Sequence, residues 1–360
     1  MEKPSEILRN YLTVSLQALD SKNSGSEACN VFHEYALYCH TQLDNPEVTQ
    51  DLQRSERFRS AKLAELEQLE SIIVKGDNSD DERIRAKRER NRVKVWLSID
   101  DRDYKSQKAS RDLFLQRSLD NYQLALTAAD DHDIDVLRFV AIWFEHAAED
   151  RANDTVAKYI GSVPTRKFVK ILNQLASRLQ DSPGNKFQEL LSDLVQRICL
   201  DHPYHGMNFV FAGSKTSGGN DKTAMSRHAA ATQIAYRLQR HPDLGKTWSK
   251  IARSNELYIE LSNFKNNDMR PNMKLSLHKF PAARHIETQI PELGVPPITI
   301  DISVRADMDY RNIPLVASFK PDMTIAGGIS APKVLTVITN TGAVHRQLVR
   351  SRQILLVVIV

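Results

Sequence analysis

The chain has 360 residues, 41% hydrophobic and 26% charged, with 49 Lys and Arg against 45 Asp and Glu and a formal net charge of +4. That length allows two or three domains with sizeable cores, and 13 Gly and 14 Pro exclude collagen-like and low-complexity chains and favour helices over a β-rich fold. Cys29, Cys39 and Cys199 are too few for a disulfide scaffold and lack zinc spacing, the charged start Met1–Asn10 has no secretory h-region, and no apolar run reaches the ~18 residues of a membrane span.

From the N-terminus the pattern is one helix after another. Glu6 to Leu19 places Ile7, Leu8, Leu12, Leu16 and Leu19 at helical spacing. Ala28 to Leu43 follows, and Asn45-Pro46 ends it, because the residue before proline is pushed out of the α region. Further helices are predicted at Val48–Val74, Asp81–Leu97, Asp103–Ala128 and Asp133–Glu149. Paired helices with short connections and no strict repeat motif predict an α-solenoid of helical hairpins. The densest basic stretch runs from Arg83 to Lys94. With Glu82 and Glu89 interspersed and no aromatic until Trp96, it reads as a solvated helix face before it reads as a phosphate-contacting patch. Asp130, Asp131, His132, Asp133 and Asp135 crowd a helix start, where carboxylates suit capping and the helix dipole.

After Val163 helices are expected at Phe168–Gln180, Phe187–Leu200, Thr223–Arg240 and Asp243–Asn263. His202 and His205 flank Pro203-Tyr204 at a helix junction. Without further ligands nearby they read as packing and hydrogen-bonding residues rather than metal ligands. Beyond Arg270-Pro271 the texture becomes β. Ile298 to Ile302 alternates with period two, Phe319–Ile325 and Val334–Thr339 are strand candidates, and Asn340-Thr341-Gly342 turns the chain into a returning strand, His345–Arg350. Between two of these strands lies Ala326-Gly327-Gly328-Ile329-Ser330-Ala331-Pro332-Lys333. Its glycines let backbone N–H groups approach phosphates, though a Gly-Gly hairpin is also simply a turn. The fold class is thus mainly α, with a small β-rich part at the C-terminal end.

Several of these stretches together resemble one family. Asp133 to Glu149, Val163-Pro164-Thr165-Arg166-Lys167-Phe168, Asn173 to Arg178 and Asp201-His202-Pro203-Tyr204-His205 are similar to the end of the FAT domain of ATM-type kinases. These are the phosphatidylinositol-3-kinase-related protein kinases, here in the fungal telomere-maintenance branch. Phe319 to Val349, with the Gly loop, Asn340-Thr341-Gly342 and Arg346-Gln347-Leu348-Val349, resembles the opening strands of that family's kinase N-lobe.

The resemblance implies residues 1–212 as the C-terminal part of the FAT solenoid, 213–295 as a connecting loop and helices, and 296–360 as an incomplete N-lobe. It implies a parent enzyme that uses ATP and Mg²⁺ to phosphorylate Ser/Thr in DNA-damage signalling and telomere maintenance, in the nucleus, near DNA ends and chromatin. Protein partners would meet the solenoid, the resemblance leaves a dimeric parent open, and no membrane is expected. Gly327, Gly328 and Ser330 match the loop over the ATP phosphates. Arg350 stands where the family has its phosphate-binding lysine, and a planar guanidinium does not reproduce a compact ammonium. From about Ser351 the sequence departs from the family pattern, as a frameshift, a retained intron or a gene-model error would make it. The family's catalytic Asp and metal-binding Asn and Asp have no counterparts here. The chain is therefore expected to be inactive alone and to hold ATP and Mg²⁺ at most weakly. The alternative is a non-enzymatic helical scaffold that binds protein partners.

Overall fold

The computed structural model describes residues 4–19, 23–74, 79–216, 221–264, 270–327, 332–350 and 358–359. Contacts divide the chain into two compact units, Met1–Val163 and Pro164–Val360. No helix among the described residues is long and apolar enough to cross a membrane.

The first unit is helical throughout. A short run of α1 (Pro4–Ile7), a π-helical turn (Leu8–Leu12) and α2 (Thr13–Ala18) precedes α3 (Ser26–Leu43), α4 (Pro46–Val74), α5 (Asp80–Ala128), α6 (Asp135–Glu145) and α7 (Asp150–Tyr159). Helix α3 lies along the C-terminal half of α5. Ala28, Cys29 and Phe32 meet Leu19 and Ala125 in one cluster, and Tyr35 and Cys39 meet Leu8 and Phe114 in another. The N-terminal half of α5 instead pairs with α4 in a hairpin held by Arg59–Asp101 at 2.7 Å and Ser55–Gln107 at 3.0 Å. None of the residues of α4 is buried.

Helix α5 is a single element of 49 residues, where the sequence predicts two. Its start carries a capping box between Ser79 and Glu82. Nothing between Leu97 and Asp103 is Pro or Gly. Asp101 is held by Lys105 one turn on, at 2.6 Å, so the polar stretch Ser98–Arg102 continues the helix instead of ending it. The basic stretch behaves as a solvated face: Ala86 and Val93 are buried while the residues between them are mostly exposed. Arg83 does specific work, its guanidinium donating to Ile73 O at the end of α4.

The second unit opens with a 3-10 turn (Thr165–Ile171) and α8 (Leu172–Ser177), followed by α9 (Lys186–Asp201), α10 (Pro203–Lys215), α11 (Lys222–Gln239) and α12 (Gly245–Asn263). The remaining elements are β1 (Lys274–Ser276), a 3-10 turn (Leu277–Lys279), α13 (Pro281–Leu293), β2 (Val316–Phe319), β3 (Asp322–Ile325), β4 (Lys333–Thr339), β5 (Val344–Val349) and the short β6 (Val358–Ile359). The sheet is antiparallel in the order β1-β3-β4-β5-β6, with β2 and β3 sharing one edge of β4. One core joins α12 and α13 to the sheet: Leu257, Leu261, Ile286 and Ile290 pack with Met323, Ile325, Leu335, Val337 and Val349.

Three expectations change here. The proline-rich stretch after Arg270 contains a helix as well as strands. Pro281 takes the first helical turn of α13, where a missing N–H costs nothing, Pro291 lies in its last turn, and Gly294 closes it at φ 60°. The predicted strand Phe319–Ile325 is two strands, separated at Lys320-Pro321. Ile298–Ile302 forms no strand. Its alternation comes from Ile298, Ile300 and Ile302 facing Tyr204 and Ile251 across a small cavity, and His205 Nε2, not a neighbouring strand, bonds Ile302 O at 2.7 Å.

Candidate functional site

The Gly loop joins β3 to β4. Its stem is closed by the pairing Ile325↔Lys333 and by the Ala326 N–H donating to Pro332 O at 2.8 Å. Strand β5 runs antiparallel to β4 with Val349 opposite Lys333, so Arg350 lies at the same end of the sheet as the loop. Gly327 is exposed, and a Cβ there meets nothing within 4 Å. Packing therefore does not demand a glycine at 327, and the surface beside the backbone is open. Gly328 and Ser330 lie outside the described residues. Arg350 is exposed and pairs with no described residue, leaving its guanidinium available to an anion.

Behind this end of the sheet sit residues that sequence reasoning missed. Lys333 is 1% exposed, and its ammonium donates to Ser262 O at 2.9 Å and Phe264 O at 2.6 Å at the end of α12. Tyr258 donates to Gln347 Oε1 at 2.7 Å, and burial holds that phenol well above its usual range. The signal was the period-two pattern itself, which puts Lys333 on the inner face with Leu335 and Val337.

A second polar cluster anchors the irregular segment 300–311. The neutral His202 imidazole accepts from Tyr310 Oη at Nδ1, at 2.6 Å, and its Nε2–H reaches Thr165 Oγ1 at 3.2 Å. Thr165 passes its own proton to Asp201 Oδ2 at 2.6 Å, and the Arg305 N–H donates to Tyr310 Oη at 3.2 Å. These partners fix the tautomer by direction. Burial pushes His202 down to about 4. The two histidines thus bond and pack, and their rings meet edge to face at 6.1 Å.

In the first unit, ligand atoms of His33, His132 and Asp135 lie within 4.8 Å of one another. The arrangement suits hydrogen bonding better than metal coordination. The two imidazoles stack at 3.7 Å with planes 2° apart, so their in-plane lone pairs run side by side instead of converging. The Asp135 carboxylate is already shared between His33 Nδ1 at 2.6 Å and Arg138 at 2.7 Å, and His132 Nε2 pairs with Asn30 Oδ1 at 2.7 Å. Asp135 stands in the first turn of α6, where the sequence pattern places a dipole-compensating carboxylate. Neither Cys39 nor Cys199 offers a reactive thiol: burial pushes Cys39 up to about 12 and Cys199 higher still.

No family model matches the chain. Individual relatives do. It is 38% identical over 349 residues to serine/threonine-protein kinase tel1 of Emericella nidulans, covering 97% of this chain and 12% of that protein. It is 35% identical over 352 residues to the TEL1 kinase of Gibberella zeae, again covering 97% and 12%. The chain thus spans about 12% of the length of the curated relatives it matches. Among solved structures, the FAT and kinase domain of CtTel1 superimposes with a TM-score of 0.86 at 36% identity, covering 96% of this chain and 23% of that one. The open conformation of CtTel1 gives 0.88 at 36% identity, over 97% of this chain and 13% of that one. The ordered helices, the small antiparallel sheet and these similarities agree along nearly the whole sequence: the chain belongs to the Tel1 family of ATM-type serine/threonine-protein kinases, as FAT helices followed by part of a kinase N-lobe.

Proposed function

We propose that this chain supplies the helical support and the phosphate-binding lip of an ATP-dependent serine/threonine protein kinase. The loop 326–332, with Gly327, Gly328 and Ser330, lies over the ATP phosphates, and Arg350 approaches them from the neighbouring strand. ATP, when bound with Mg²⁺, supplies the γ-phosphoryl group that passes to a Ser or Thr hydroxyl. The chain's own part is to orient: backbone N–H groups of the loop donate to phosphate oxygens, and the Arg350 guanidinium adds charge and planar donors. The groups that bind Mg²⁺ and accept the substrate proton belong to sequence beyond residue 350 in the family pattern.

The observation that carries this reading is the shared sheet end, with Val349 opposite Lys333 so that Arg350, exposed and without a partner among the described residues, lies at the same end as the exposed Gly327. ATP titration of the full-length protein tests it. Gly327→Val, which adds bulk beside the loop backbone, is expected to weaken ATP binding on the order of tenfold or more, and wild-type affinity in that variant would sink the reading. We further propose a nuclear setting in DNA-damage and telomere signalling, in keeping with the Tel1 relatives, and a dimeric parent, in keeping with the CtTel1 dimer of C2 symmetry. The α4–α5 hairpin favours protein partners for the helical unit, since Phe58, Val95 and Trp96 are each more than half exposed, at 55%, 60% and 52%.

A further inference from the structure

The loop is held at its base by a residue that the nucleotide reading leaves without a role. Lys333 ends the loop and begins β4, yet its side chain is buried, on the inner face of the strand with Leu335 and Val337. Its ammonium sits on carbonyls at the C-terminal end of α12, where unpaired oxygens and the helix dipole favour a cation. One turn earlier on the same helix, Tyr258 holds Gln347, and Gln347 lies on β5 three residues before Arg350. One helix is thus tied to both strands that lead to the candidate site.

We infer that Lys333 is a positioning residue for the phosphate loop, making the placement of the loop's stem, Ala326 and Pro332, depend on how α12 is seated. The inference rests on the nucleotide reading above. At 1% exposure Lys333 presents no group to a ligand and acts only through the backbone it fixes. If the end of α12 shifts, the ammonium either follows or is left unpaired in an apolar core, which is costly. Helix and strand therefore move together, and Tyr258–Gln347 extends the same constraint to the strand carrying Arg350.

The test is steady-state kinetics on the full-length kinase. Lys333→Met keeps the length and removes the charge, and Lys333→Arg keeps a cationic donor. Lys333→Met is expected to raise KM for ATP on the order of tenfold while KM for a peptide substrate stays put, and Lys333→Arg to return it toward wild type. Should Lys333→Met fail to fold, Tyr258→Phe removes only the second tie and is expected to raise KM for ATP by a smaller factor. A folded variant with wild-type KM and merely a lower melting temperature overturns the inference. A wild-type enzyme with no saturable ATP dependence instead sinks the nucleotide reading, so the two failures are told apart.

Discussion

His202 and Tyr310 lie 108 positions apart and share a 2.6 Å hydrogen bond with the imidazole as acceptor. That bond holds the irregular segment 300–311 against the junction of α9 and α10. It requires a neutral ring, and burial keeps the ring neutral by lowering its pKa from 6.5 to about 4. Above pH ~6.5 the residue is neutral in both folded and unfolded chains. Between there and about 4 only the unfolded chain takes up the proton, so stability falls as pH drops through that window and levels off below it. The full loss is about 3 kcal/mol at most. Urea unfolding of the second unit from pH 7.5 down to 4 measures it, and His202→Gln is expected to flatten the curve. An equally steep curve in that variant would assign the dependence to other groups.

Tyr310→Phe removes the hydroxyl that bridges the Arg305 N–H and His202 Nδ1. A buried ring nitrogen is left without its donor, and the expected cost is about 1–3 kcal/mol. Chemical denaturation at pH 7.5 reads this directly. A change below about 0.5 kcal/mol would mean that the segment is held by packing alone.

Gly206 marks the close approach of α10 to α9. A Cβ there would lie 2.8 Å from Cys199 Sγ and 2.9 Å from Cys199 Cα. Gly206→Ala is expected to destabilise by about 1–3 kcal/mol through overpacking. Adding Cys199→Ala is not expected to restore stability, since the clash with the backbone Cα remains. Full rescue by the double variant would show that only the sulfur is in the way.

Much of this architecture was legible in local chemistry. Asn185 and Asp221, as side-chain caps, open α9 and α11 close to their predicted starts, and Gly342 at φ 82° closes the β4–β5 hairpin where Asn340-Thr341-Gly342 predicts it. What failed was decided at longer range. Ile298–Ile302 alternates as a strand does, yet no strand pairs with it, because α10 supplies His205 as hydrogen-bond donor. Prolines at 281 and 291 suggested extended chain, but Pro281 sits in the first helical turn, where a missing N–H costs nothing, and Pro291 falls in the last turn, just before the helix ends at Gly294. At the candidate site the loop and Arg350 were legible from motif resemblance, while Lys333 and Tyr258 were not. Their roles depend on α12 docking against the sheet, about 70–90 residues away in sequence.

The His33–Asp135–Arg138 cluster is expected to be a structural lock between α3 and α6. Asp135→Asn removes the fully buried carboxylate and should cost about 1–3 kcal/mol, with the partly exposed Arg138 contributing little because solvent screens it. Zinc added to the wild-type chain should leave its melting temperature unchanged. A melting temperature that climbs with zinc concentration would overturn the hydrogen-bonding assignment and make the cluster a metal site.

Whether the glycine loop meets nucleotide phosphates is read by hydrogen exchange of residues 326–350 in the full-length protein, with and without ATP and Mg²⁺. Slowed exchange is expected in the loop 326–332 and at Arg350 on adding nucleotide, with β2 unaffected. Identical exchange in the loop at saturating ATP would contradict that contact.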